Sequence, residues 1–281
     1  MKKVLKWMFV VCLIIIGIII YARYIGTMGF ITKEYTIKDK DIPSDFDGLK
    51  IVHFSDLHYN RAININKVKS IVKEINLINP DIVVFTGDLI DKDVYLTEDD
   101  YSDLIKVFSN IEAKYGKYAV IGNHDYIKDK NNFKKVFDNS DFSILDNSYD
   151  IINSANNEKI YIGGLSTVSF DQEDLVKTMD YLKDKSDIDY RIILVHEPDI
   201  ADEIVKDYEI NLILAGHSHN GQIRLPIIGA IYKPPYAKKY YDSYYEVDGT
   251  NLYISSGIGV SNFNYRLFDR PSINFYRINK D

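Results

Sequence analysis

Residues 49–60 read LKIVHFSDLHYN, a β-branched apolar run that breaks off at Asp56 and His58. Four later stretches repeat the pattern: FTGDLID around Asp88 and Asp91, IGNHDY around Asn123 and His124, LVHEPD at His196, and AGHSHNG at His217 and His219. Every histidine of the chain except His53 stands in one of these positions. Imidazoles grouped with Asp and Asn form a donor set for hard-to-borderline divalent cations.

Working outward, the apolar runs LKIVHFS, DIVVFTG, KYAVIG, KIYIGGL, RIILVHE and NLILAG read as strands buried on both faces. Between them, Val68, Ile71, Val72, Ile75 and Ile78 recur at helical spacing, as do Tyr101, Leu104, Ile105, Phe108 and Ile111. Shorter helical patterns surround Leu175, Met179 and Leu182, and Ile200, Ile204 and Tyr208. Glu98, Asp99 and Asp100 read as the acidic first turn of a helix, which suits its dipole. Strands alternating with helices predict an α/β sandwich. The final third, with GQIRLP, NLYISSG and SINFYRI and no helices between, reads as more antiparallel. The Tyr-, Lys- and Pro-rich tract from Ile231 to Val247 reads as a long loop or hairpin. Its Lys238, Lys239, Tyr240 and Tyr241 either rim the site or are solvated.

Residues 1–26, MKKVLKWMFVVCLIIIGIIIYARYIG, are uncharged from Trp7 to Ala22. That run lies between a signal-peptide core and a full bilayer span, and Lys6 and Arg23 can snorkel to lengthen it. The residues around Ala22 make a poor cleavage site, so the segment reads as an uncleaved N-terminal signal anchor. Lys2, Lys3 and Lys6 favour a cytoplasmic N-terminus and an extracytoplasmic body, against a weaker count from Lys33, Lys38 and Lys40. The expected organisation is therefore an anchor over 1–26, a tether and first strand (EYTIKD) over 27–48, and one catalytic domain over 49–281, with the protein single-pass in the cell membrane. Beyond residue 28 the chain carries 30 basic against 41 acidic residues, so no specific nucleic-acid binding is expected. Its one cysteine, Cys12, lies in the apolar segment, which excludes an internal disulfide or thiolate zinc site in the body.

Each candidate ligand follows a predicted strand, and in open α/β sheets ligands bind at that edge. Seven N and O donors exceed what one tetrahedral ion can use, so two cations sharing a carboxylate are the natural arrangement, and such pairs activate water for phosphoryl chemistry. No Ser or Cys nucleophile adjoins these histidines, which favours direct attack by a metal-bound hydroxide over a covalent intermediate.

The ordered set D-x-H, G-D-x-x-D, G-N-H-D, H and G-H-x-H, from about Leu49 onward, resembles the calcineurin-like metallophosphoesterase superfamily. DFDGLKIVHFSDLH, the anchor, and the ending around Arg266 and Pro271 resemble its bacterial membrane-associated phosphodiesterases, the UDP-2,3-diacylglucosamine pyrophosphatase-like group. The resemblance implies an α/β/β/α sandwich with a dinuclear site of Mn, Zn or Fe. It implies Asp56, His58 and His219 on one metal, Asn123, His196 and His217 on the other, and Asp88 bridging. His124 would face the substrate, stabilising the transition state or protonating the leaving oxygen, with Asp91 orienting it and Asp125 a weaker candidate for that role. Lys92 and Asp93 follow Asp91 where protein Ser/Thr phosphatases have Arg-Gly, so a protein phosphatase is not expected.

The expected activity is hydrolysis of a phosphodiester or pyrophosphate, lipid- or envelope-linked, by a metal-bridging hydroxide. A phosphomonoesterase and a non-catalytic metal-binding sensor or scaffold are the alternatives. His53 matches no motif and reads as structural. Arg266 reads equally as a phosphate contact or a partner for surface acids.

Overall fold

The computed structural model of the chain describes residues 1–183 and 187–281. One six-stranded sheet contains β1 (Ile31–Lys38), β2 (Leu49–Phe54), β3 (Ile82–Phe85), β4 (Gly116–Ala119), β5 (Ser143–Ile144) and the last strand, β14 (Ser272–Asn279). Its order is β1-β14-β2-β3-β4-β5. The other contains β6 (Ser148–Asn153), β7 (Lys159–Gly164), β8 (Tyr190–Leu194), β9 (Leu212–Ala215), β12 (Tyr244–Val247) and β13 (Thr250–Ile254), in the order β12-β13-β9-β8-β7-β6. A two-stranded ribbon, β10 (Arg224–Leu225) and β11 (Gly229–Ala230), stands apart.

Period-two alternation packs the layers. Ile51, Ile82 and Val84 point between the sheets to meet Ile160, Ile192 and Leu212. Val52, Phe54, Val83 and Phe85 point outward onto α2 (Ile65–Ile78), α3 (Glu98–Phe108) and α4 (Asn123–Asp138). On the far side, Ile193 and Ile213 pack under α5 (Leu175–Met179) and α6 (Ala201–Asp207). The result is the expected α/β/β/α sandwich. Each fully buried Ile or Val contributes about 1.5–3 kcal/mol of transfer free energy. Strand interiors buried on both faces therefore fix the register firmly, because a one-residue slip would exchange the two faces.

Thr97 caps α3 and forms a capping box with Asp100, so the acidic first turn is as expected. The last third is more mixed than its sequence reads. β14 runs antiparallel to β2, but β13 runs parallel to β9. β1 pairs parallel with β14 from Ile31↔Ser272 to Lys38↔Asn279, so the segment before Leu49 contributes an edge strand.

α1 (Lys2–Ile20) continues through a π-helical turn to Ile25, and Lys2–Ile25 is long and apolar enough to cross a membrane. Its residues are exposed until Ala22, whose carbonyl accepts from the Arg266 amide at 2.8 Å. Gly26 is required next to that contact, because a Cβ there would fall on the Arg266 carbonyl oxygen.

Candidate metal centre

The seven candidate ligands leave the C-terminal ends of β2, β3, β8 and β9 and the start of α4 after β4, all at one edge of the sandwich. Five of them, Asp56, His58, Asp88, His217 and His219, have positive φ, between 42° and 64°. For non-glycine residues this left-handed backbone costs on the order of 1–3 kcal/mol each and persists only where the surroundings hold it. Two glycines make room for the turns. A Cβ on Gly87 would lie 2.6 Å from His196 Nδ1, and one on Gly122 would fall on Asp88 Oδ1.

Two groups of donors result. In the first, His58 Nε2 lies 3.1 Å from His219 Nε2, which is 3.4 Å from Asp56 Oδ1. In the second, His196 Nε2 is 3.1 Å from Asn123 Oδ1, and His217 joins Asp88 and His196 within coordination range. Asp88 stands between the groups, with Oδ2 3.6 Å from His58 Nε2 and Oδ1 3.4 Å from His196 Nε2. The outer ring nitrogens are tied back by elements not legible as functional in the sequence. His196 Nδ1 donates to the Thr86 carbonyl at 2.6 Å, and His217 Nε2 to the Pro235 carbonyl at 2.8 Å. Such contacts fix which nitrogen faces inward.

Burial strips water from these groups. It holds His58 down to about 3, and together with His58 and Arg266 it keeps His219 well below its ordinary value. Both imidazoles thus offer lone pairs across the neutral range. Burial also pushes Asp56 up, to about 7. At Asp88 burial acts the same way, but facing His196 and His124 outweighs it and the carboxyl stays well below the usual range. His196 is held well above its own value, burial being overcome by Asp88. A divalent cation here would take over the neutralisation of Asp88 that this proton provides. Inward-facing imidazole N, carboxylate O and amide O without a thiolate fit two such cations.

His124 lines the cavity beside these donors. Its Nδ1 accepts from the Lys92 amide at 3.2 Å, which leaves Nε2 as the N–H side of the neutral ring. Asp91 Oδ2 is 3.9 Å from that Nδ1, 3.5 Å from His58 Nδ1, and 2.7 Å from Arg61 Nη1. Asp125 accepts from the amides of Asp88, Leu89, Ile90 and Gly122, so it holds the loop that carries Asp88. His53 lies in the inter-sheet layer, 2.7 Å from Thr86 Oγ1 and 3.3 Å from the Tyr276 hydroxyl.

Arg266 matches neither of its sequence readings. It is fully buried, donates to the carbonyls of Ser256, Gly257 and Gly259, and pairs with buried Asp269 at 2.9 Å. The Ile231–Val247 tract divides. Ile231, Tyr232, Pro234 and Pro235 line the cavity, whereas Lys239 and Tyr240 turn away onto Asp202. The cavity holds about 330 Å³.

Residues 49–221 match the calcineurin-like phosphoesterase family. The uncharacterized metallophosphoesterase YkuE of Bacillus subtilis is 35% identical over 260 residues, spanning 92% of this chain and 88% of its own. A zebrafish (Danio rerio) transmembrane protein with metallophosphoesterase domain is 25% identical over 252 residues, 85% of this chain and 55% of its own. Among solved structures, the NAD nucleotidase of Haemophilus influenzae superposes with a TM-score of 0.51 at 17% identity. That match covers 75% of this chain and 50% of the other, a likeness of fold. The chain belongs to the calcineurin-like phosphoesterase family, whose members are metal-dependent phosphoester hydrolases.

Proposed function

We propose that the chain hydrolyses a phosphodiester or pyrophosphate bond in a membrane- or envelope-linked substrate. The observation that carries this reading is the cavity lining. Its floor bears Asp88, Asn123, His124, His217 and His219, and Lys92 is its one lysine or arginine among the described residues. Ile223, Ile231, Tyr232, Pro234 and Phe263 also line it. A terminal phosphate dianion calls for further cations, whereas a diester needs room and apolar surface for its second substituent.

Asp56, His58, His219, Asp88, Asn123, His196 and His217 would hold two divalent ions, which would supply Lewis-acid charge and a nucleophilic water at neutral pH. His124, with Nδ1 engaged by Lys92, presents Nε2–H to the leaving oxygen as a hydrogen-bond donor that stabilises the charge developing there. Asp91, 3.9 Å from His124 Nδ1, orients that ring while it holds Arg61 and backs His58. Lys2–Ile25 anchors the chain, with the catalytic body on the extracytoplasmic side.

The test is hydrolysis of bis-p-nitrophenyl phosphate against p-nitrophenyl phosphate by the full chain in detergent, metal-stripped and then supplied with Mn, Zn or Fe. Metal-dependent preference for the diester is expected. Preference for the monoester would replace this reading with a phosphatase, and no turnover despite bound metal would favour a binding role.

A further inference from the structure

Lys2–Ile25 enters the body without a linker, and this fixes which loops lie beside its end. Ala22 ends the apolar run and accepts directly from the Arg266 amide, and Gly26 is pressed against the Arg266 carbonyl. Arg23 and Tyr24, an interfacial pair, sit at the same level. With Lys2–Ile25 read as a bilayer span, the residues that follow Arg266 would begin within the interfacial layer, which together on both sides adds about 10–15 Å to the hydrocarbon core.

That segment connects to the β10–β11 ribbon. Leu267 bridges Ile223, its amide donates to the Gln222 carbonyl at 3.1 Å, and Arg224 donates back to its carbonyl at 2.9 Å. Gln222 Nε2 reaches the Phe263 carbonyl at 2.8 Å. These two connected loops expose Ile227, Ile228, Ile231, Tyr232, Phe263 and Phe268, from 54% to 107% of their full areas. Other exposed large apolar residues of the body, such as Leu77 and Tyr95, lie apart from these loops in the chain. Exposed apolar residues grouped on joined loops mark an interaction surface, whereas single exposed residues need no explanation.

The ribbon tip adds a second observation. Ile228 N–H bonds to the Pro226 carbonyl across Ile227, whose φ is 73°. This is a γ-turn with a β-branched residue in the left-handed region, a rare and strained conformation. The turn holds a fully exposed isoleucine at its apex, where glycine or asparagine would relieve the backbone.

We infer that the β10–β11 tip and the Phe263–Phe268 segment form a membrane-inserting lip that seats the body on the lipid bilayer beside its anchor. The inference rests on the reading of Lys2–Ile25 as a membrane anchor. Ile231, Tyr232 and Phe263 belong to both the lip and the cavity wall, so the cavity opens at headgroup level.

The test uses the full chain with Trp7→Phe, reconstituted in phosphatidylcholine–phosphatidylglycerol vesicles with or without dibrominated phosphatidylcholine. A single tryptophan is placed by Ile227→Trp, by Phe263→Trp at an unstrained position, or by Leu77→Trp at the opposite edge. Blue-shifted emission quenched by bromolipid at 227 and 263, with water-like unquenched emission at 77, is expected. Water-like emission at both lip sites would overturn the lip while flotation with the vesicles left the anchor standing. A blue shift without bromolipid quenching would assign the patch to a second copy of the chain and equally overturn it. Failure to float would remove the anchor and the lip together. None of these readouts depends on turnover, so loss of the hydrolase reading is scored separately.

Discussion

Two cavities open at opposite edges of the sandwich. The larger, about 740 Å³, lies where strands begin and is lined by groups such as Asp39, Asp41, Arg191, Glu209 and Asn211. Its polar groups satisfy one another and water: Arg191 Nη1 donates to the Glu209 carbonyl, while the Glu209 side chain is 98% exposed. The smaller, about 330 Å³, lies where strands end. There the carboxylates and imidazoles are buried, and five of the seven candidate ligands hold left-handed backbone. Room alone does not make a site. What separates the edges is donors taken out of water and aimed at one another, an arrangement that only a shared cation repays.

The sharpest way to break this contrast is Asp88→Asn, which removes the charge between the two donor groups. Diester hydrolysis should fall by at least about 10³-fold, on the scale of losing preorganised electrostatic stabilisation, when initial rates are compared at saturating metal. His124→Ala should lower kcat by about 10²–10³-fold. Plasma emission analysis should find its metal content unchanged, because His124 is assigned to the substrate.

The inter-sheet layer gives a smaller effect with a definite sign. Burial holds His53 neutral down to about 3, whereas the unfolded chain takes up the proton near 6.5. The folded state therefore keeps this contribution fully above pH 6.5 and loses it as pH falls toward 3, by up to about 1.4 kcal/mol per unit. Denaturant titrations should show a shallower acid decline for His53→Asn. Arg191→Ala, at the opposite edge, should leave hydrolysis intact and cost about 1 kcal/mol or less by the same titration.

How far the sequence could be read follows from the same contrast. Strands such as Leu49–Phe54 and Leu212–Ala215 are nearly continuous apolar runs because both faces are buried. Metal-ligand residues at their ends stand out against that background. α4 leaves a weaker mark. Its buried apolar side chains Phe133, Val136 and Phe137 fall only in its second half, and its first turn is occupied by Asn123, His124 and the capping Asp125. The parallel pairing of β1 with β14 joins residues more than two hundred positions apart and leaves no local mark. Arg266 was ambiguous because a lone arginine carries no record of the carbonyls it will meet. The apolar cavity wall is built by loops, where side-chain pattern has no period to betray it.

The number of cations at the strand-end edge distinguishes a dinuclear centre from any other use of these ligands. Metal content of the full chain, measured after equilibration with Mn or Zn and desalting, should be two ions per chain. Asp88→Asn should reduce it to one or fewer. A single ion in the unsubstituted protein, or two retained in the variant, would contradict a centre in which Asp88 joins both groups.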